Sequence, residues 1–121
     1  MDKLEHIFEL QAAFDGELAR RRRLPELDVN TWVQKEVLAI VAELGELLEE
    51  VNYKWWKDPH EINLEAIKDE LVDILHFLIS ICLKLGINAE DLYRAYCQKN
   101  AENFRRQDGT SSKPGYRSPK K

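Results

Sequence analysis

Apolar residues recur along the chain at intervals of three and four rather than two, and that period predicts helices nearly throughout. A first stripe, Leu4, Ile7, Phe8, Gln11, Phe14 and Leu18, covers about residues 3 to 22 and leads into a basic run at 20–23, with Pro25 closing the helix. Residues 25–30 read as a loop, and Asn30 or Thr31 is the expected cap of a second helix. Val37, Ile40, Val41, Leu44, Leu48 and Val51 carry that helix to about Tyr53, and Asp58-Pro59 ends the region. Asn63 is the expected N-cap of a third helix, which runs to Leu85 and stops at Gly86, a residue suited to the position just past a helix end. Asn88, with Asp91 three residues later, opens a fourth helix continuing to about Arg106. From Leu71 onward the third helix is apolar on nearly every side, as a central bundle helix should be. The expected fold is therefore all-α, a four-helix bundle over residues 1–108 followed by a flexible basic tail, 109–121, rich in Gly, Ser, Pro and Lys.

With 121 residues the chain suffices for one small domain. A formal charge of -4 and a pI near 5.4 argue against nucleic acid or anionic membrane as partners, since both call for surplus basic surface. No apolar run approaches the ~20 residues that span a bilayer, and Met1-Asp2-Lys3 does not open a signal peptide, so the expected location is cytoplasmic. Cys82 and Cys97 lack metal-type spacing and are expected as reduced structural thiols.

The candidate chemistry lies in two acidic pairs, Glu43-Leu-Gly-Glu46 and Glu70-Leu-Val-Asp73, each spaced to share a helix face within a mostly apolar segment. Ionised carboxylates resist burial without a cationic partner. Packed antiparallel, the two helices would bring Glu43, Glu46, Glu70 and Asp73 together as an all-oxygen cluster suited to Mg²⁺ or Mn²⁺, with substrate phosphate on the other side of the metal. Glu36 and Glu50 line the same side of the second helix as Glu43 and Glu46, while Glu49 reads as surface. A single glutamate would be a solvated helix face; the two pairs together outweigh that reading.

Around these acids the sequence resembles the all-α NTP pyrophosphohydrolases, the superfamily of MazG-like proteins and dimeric dUTPases. Glu43-Leu-Gly-Glu46 and the run Asp69-Glu-Leu-Val-Asp-Ile-Leu-His-Phe-Leu-Ile-Ser80 look like its ExxE and ExxD metal motifs. Three more segments resemble the dimeric dUTPase branch: Ile7-Phe8-Glu9-Leu10-Gln11-Ala-Ala-Phe-Asp15, Tyr53-Lys54-Trp55-Trp56-Lys57, and Lys99-Asn100-Ala-Glu-Asn103-Phe-Arg105-Arg106-Gln107. The resemblance implies Mg²⁺-dependent hydrolysis of dUTP, and of dUDP, at the α,β phosphoanhydride, with Glu43, Glu46, Glu70 and Asp73 as metal ligands and Glu46 as the preferred base. It implies phosphate contacts from Lys54, Lys57, Lys99, Asn103 and Arg106, the last three sharing one face of the fourth helix. It also implies a homodimer or homotetramer.

For a deoxyuridine base, Trp55 or Trp56 would give a flat wall and Gln11 an amide to pair with the uracil edge. His76 is either a satisfied bundle histidine or a sugar or base contact, and Trp32 is expected as packing at a helix start. The branch usually closes its last motif with Gly-Tyr soon after Arg-Gln; here a longer insert precedes Gly115-Tyr116, and Tyr116 is the candidate for that role. Lys113, Tyr116 and Arg117 could fold over phosphates, although an inert tail is the plainer expectation. The best-known dimeric dUTPases are longer, so recognition elements are either missing here or supplied by a partner subunit. Two other readings compete: a MazG-like or dCTP-type pyrophosphohydrolase, because four acids do not choose a base, and a non-catalytic helical adaptor whose acids are surface charge.

Overall fold

The computed structural model describes residues 1–116. Four helices make up the regular structure among the described residues: α1 (Lys3–Arg22), α2 (Val29–Glu50), α3 (Leu64–Lys84) and α4 (Ala89–Asp108). The all-α class is as expected. No helix among them is long and apolar enough to cross a membrane. Contacts divide the chain into two compact units, one from Met1 to Ile87 holding α1 to α3, the other beginning at Asn88 and holding α4.

Each helix is bounded by local chemistry. Asp2 accepts from the Glu5 N–H at 2.8 Å to start α1, and Arg23, left-handed at φ 49°, ends it two residues ahead of Pro25. The start of α2 differs from expectation. Asp28 is the cap, accepting from both the N–H (2.8 Å) and the hydroxyl (2.9 Å) of Thr31, so Asn30 and Thr31 fall inside the first turn. Nor does α2 reach Tyr53. It stops at Glu50, because Asn52 turns left-handed (φ 56°) and its side-chain amide both donates to and accepts from the His60 backbone at 2.9 Å.

Asn63 caps α3 as expected, accepting from the N–H groups of Glu65 and Ala66 at 3.1 and 3.2 Å. Replacing Asn63 with Ala should cost about 1 kcal/mol, a drop in urea midpoint with unchanged slope. At the far end Gly86 takes the left-handed conformation (φ 74°), and Ile87 N–H reaches back to the Cys82 carbonyl at 2.9 Å. Asn88 and Asp91 form the expected capping box of α4, which continues to Asp108 before Gly109 turns it off.

In the first unit α3 packs against both α2 and α1. Contacts from Gln11 to His76 and from Asp15 to Ser80 show α1 and α3 parallel, whereas Glu36 meets Ser80 and Lys84 while Glu43 and Glu46 lie beside Glu70, so α2 runs antiparallel to α3. Phe8, Gln11, Ile79, Ser80 and Cys82 are the buried centre of this unit. The expectation of a helix buried on every side holds only for that part of α3: Leu71, Val72, Leu75 and Leu78 stay exposed, as do Leu10, Leu38 and Val41 on the other two helices.

Candidate active site

Antiparallel packing of α2 on α3 brings Glu43 and Glu46 opposite Glu70, and one oxygen from each lies within 4.8 Å of the others. Glu43 and Glu70 are half-buried and Glu46 is exposed. Glu43 Oε2 and Glu70 Oε2 are buried without a hydrogen-bond partner among the described residues. The Glu70 carboxyl is pushed up to about 7, first by the Glu43 carboxyl beside it, then by desolvation and by Glu46. Three acids this close cannot all ionise cheaply without a cation, and an oxygen-only donor set with two orphaned oxygens fits a hard divalent ion such as Mg²⁺.

The fourth expected ligand, Asp73, is not among the three converging acids. It is exposed and lines a cavity of about 390 Å³ together with Gln11, Phe14, Asp15, Glu36, His76 and Ser80. Acids and cavity thus share α3, one helical turn apart. Phe77 lines this cavity as well as a second, of about 850 Å³, which also includes Trp32, Lys35 and Lys84.

Glu70 sets a pH dependence for the metal-free protein. Unfolded, its carboxyl titrates near the ordinary 4.5; folded, near 7. Its contribution to stability is full below pH 4.5 and is lost as pH rises through 7. His60 acts in the same sense. Its two ring nitrogens lie 2.9 Å from the Glu61 carbonyl and 2.7 Å from the Glu49 carbonyl, and because both must donate, the proton is held more tightly than the ordinary 6.5 allows. His60 therefore stabilises fully below pH 6.5 and less as pH rises past its folded value. In EDTA the melting temperature should fall between pH 5 and pH 8.5. Glu70→Gln and His60→Gln should each flatten part of that slope, read by circular dichroism.

A hydrogen-bonded chain of side chains crosses all three helices beside the cavity. Gln11 is 5% exposed; its Nε2 donates to Asp15 Oδ1 at 2.8 Å and its Oε1 faces His76 Nδ1. Ser80 Oγ lies 2.6 Å from Asp15 Oδ2 and 2.6 Å from Glu36 Oε1, and Lys84 donates to Glu36 at 2.8 Å and to Ser80 Oγ at 2.9 Å. Gln11 and His76 were expected at the site. Asp15, Glu36, Ser80 and Lys84 carried no expected role there, although polar residues every four positions along an apolar helix, at 76, 80 and 84, were a usable signal.

The loop after α2 carries the other expected contacts. Lys54 pairs with Glu49 at 3.0 Å, and that contact raises its affinity for the proton. Trp55 and Trp56 meet edge to face with centroids 5.5 Å apart, and both are exposed, Trp55 by 86%. Lys57 is exposed, its N–H on the Lys54 carbonyl at 3.1 Å. Aromatic walls around the two cavities come instead from Phe14, Phe77 and Trp32, and the Lys84 ammonium sits 5.8 Å from the Trp32 ring centre.

In the second unit Lys99 and Asn103 are exposed, while Arg106 is engaged, donating to Glu102 at 3.0 Å with its guanidinium 5.5 Å from the Tyr116 ring centre. Ser111 also donates to Glu102 at 3.0 Å, and Ser111, Arg106 and Arg105 together hold the Glu102 carboxyl below its usual range. The segment expected as a flexible tail thus begins with a turn folded back on α4 over residues 109–116. Arg117 and the rest of the expected tail, to residue 121, lie outside the described residues. Cys82 is buried and Cys97 exposed, both free thiols.

Comparison with known proteins bears on residues 3–88, which match the model of a family described as dUTPase. A dCTP pyrophosphatase of Enterobacteria phage T4 is 34% identical over 106 aligned residues, covering 67% of this chain and 61% of the relative. The dCTP pyrophosphatase of Enterobacteria phage LZ5 is 36% identical over 75 residues, covering 62% and 44%. A DNA replication protein of phage T4 is 32% identical over 98 residues, covering 60% of this chain and 25% of the relative. The chain thus spans between a quarter and three fifths of these relatives. No solved structure matches it.

Proposed function

The chain belongs to the dUTPase family, and on that premise we propose that it hydrolyses a pyrimidine deoxynucleoside triphosphate, with dUTP first, to the monophosphate and pyrophosphate with Mg²⁺. One observation carries the reading: Glu43, Glu46 and Glu70 converge with two orphaned oxygens, one turn of α3 away from Asp73, which lines a cavity of about 390 Å³. Glu43, Glu46 and Glu70 would hold the cation, with Asp73 as the fourth carboxylate on the cavity side. When bound, Mg²⁺ supplies positive charge to phosphate oxygens and makes water a better nucleophile. Glu46 is the exposed member of the cluster and takes the proton of the attacking water. Lys54, after leaving Glu49, and Lys57 offer donors to phosphate oxygens. Phe14 and Phe77 flank the base, and the Gln11 amide meets its polar edge.

A second reading, dCTP as the main substrate, is favoured by the two relatives named dCTP pyrophosphatase. Binding separates both from an adaptor. With Mg²⁺ and an α,β-imido analogue of dUTP or dCTP at about 100 times its Kd, stability should rise by about 2.7 kcal/mol, whereas an adaptor would not respond.

A second copy of the chain completes the proposal. Leu71, Val72 and Leu75 on α3 and Leu38 and Val41 on α2 are apolar and exposed, a cost that a homodimer or homotetramer removes. Sedimentation should return a multiple of the 14.2 kDa chain mass. A monomer would contradict this.

A further inference from the structure

Gln11 is buried on the wall of the 390 Å³ cavity, and a side-chain amide in that position has two orientations differing only in which end is the donor. Asp15, one turn along α1, faces one end of it at 2.8 Å. An ionised carboxylate only accepts, so that end must be the nitrogen, and the oxygen is left facing His76 Nδ1, which must then carry the ring proton. The Ser80 hydroxyl has a single proton and two carboxylates within 2.6 Å of it. Lys84 donates to Glu36 and to Ser80 Oγ and lies 3.9 Å from Asp15 Oδ2; whichever acid takes the hydroxyl proton, the Ser80 contact is on Oδ2, and Oδ1 stays an acceptor towards Gln11. Turning the amide over would set its oxygen against the Asp15 oxygen with no proton between them.

The amide keeps one unspent N–H and one unspent oxygen lone pair, in a fixed order. Uracil presents an acceptor, O4, beside a donor, N3–H; cytosine presents a donor, its amino group, beside an acceptor, N3. The two orders are opposite, so an amide free to turn would accept both bases and a fixed one would select between them. We propose that Asp15, with Ser80, Glu36 and Lys84 behind it, is a positioning residue that locks the Gln11 amide and thereby sets which pyrimidine the chain accepts. The proposal rests on the reading of Gln11 as the group that meets the base edge.

The test compares kcat/KM for dUTP and dCTP in the wild type, Asp15→Asn and Asp15→Glu. The wild type should prefer one nucleotide by about 100-fold or more, as expected where buried hydrogen-bonding groups read a substrate. Asparagine can donate as well as accept, so Asp15→Asn should bring that ratio within about tenfold, mostly through a lower KM for the disfavoured nucleotide. Glutamate accepts only, and Asp15→Glu should keep the preference even at reduced kcat. A wild type without preference, or an Asp15→Asn variant retaining it, overturns the lock. ¹⁵N NMR of the wild-type chain supplies a readout independent of turnover and of variant folding: with the ring neutral, His76 should carry its proton on Nδ1, and a proton on Nε2 overturns the lock. A wild type silent on every nucleotide overturns the enzymatic reading instead, and the lock is then decided by the tautomer.

Discussion

Exchange of Glu70 for Gln should lower nucleotide hydrolysis by about a thousandfold or more and remove the thermal shift expected from Mg²⁺ with a nucleotide analogue. Three carboxylates present oxygens within 4.8 Å of one another. Glutamine matches the shape of glutamic acid but keeps one neutral oxygen, so the cluster loses one of three charges that a divalent ion would offset. The same exchange has the opposite effect on the bare fold. Glu70 is pushed up to about 7 because Glu43 and Glu46 crowd it, and a permanently neutral side chain relieves that crowding at pH 8. Glu70→Gln should therefore melt higher than the wild type in EDTA at pH 8, lose that advantage at pH 4.5, and lie below the wild type with Mg²⁺ and nucleotide. Opposite signs with and without metal separate a binding site from a merely repulsive acidic face. A surface charge reading predicts no difference between the two conditions.

The second large effect is on stability. Lys84→Met should destabilise the chain by about 2 to 3 kcal/mol, somewhat less than a fully buried pair because the groups keep some solvent. Side-chain exposure is 25% for Lys84, 13% for Glu36 and 25% for Asp15, and Lys84 is the cation paired with both acids. Glu36 already has one buried oxygen without a partner among the described residues, so losing the ammonium leaves it a poorly compensated anion. Methionine keeps a flexible apolar chain close to the length of the lysine stem while removing the ammonium, so the loss reads chiefly the charge. Adding Glu36→Gln should recover about half or more of the loss, because a neutral amide needs no counter-charge. Urea denaturation of the two single variants and the double variant measures that coupling. Additive losses would show that Lys84 acts through packing alone.

What could be read in the chain was what neighbours along it decide. Asn63 and the Asn88/Asp91 pair signal helix starts because their partners sit two or three residues away. Sequence alone does not single out Asp28, because two further cap-forming residues, Asn30 and Thr31, follow it, and only the paired bonds to Thr31 select it. The end of α2 depends on Asn52 holding the His60 backbone eight residues on, which helical periodicity does not encode.

At the site, the spacing of Glu43, Glu46 and Glu70 was enough to foresee their convergence once α2 and α3 pack antiparallel. The role of Asp15 was not visible, since its contact with Ser80 spans 65 residues and alone it looks like an ordinary helical polar residue. Trp55 and Trp56 show the converse. Two adjacent tryptophans suggest a base wall, yet both stand exposed beside each other, while Phe14 and Phe77 line the cavity.

Whether the Glu43-Glu46-Glu70 cluster serves nucleotide hydrolysis is decided by pyrophosphate release from dUTP, dCTP, dTTP, dATP, dGTP and UTP, in Mg²⁺ and then in EDTA. A metal-binding role for the cluster gives release from dUTP or dCTP that stops in EDTA and is absent in Glu70→Gln. Release that persists in EDTA, or no release from any nucleotide by a folded chain in Mg²⁺, would contradict it.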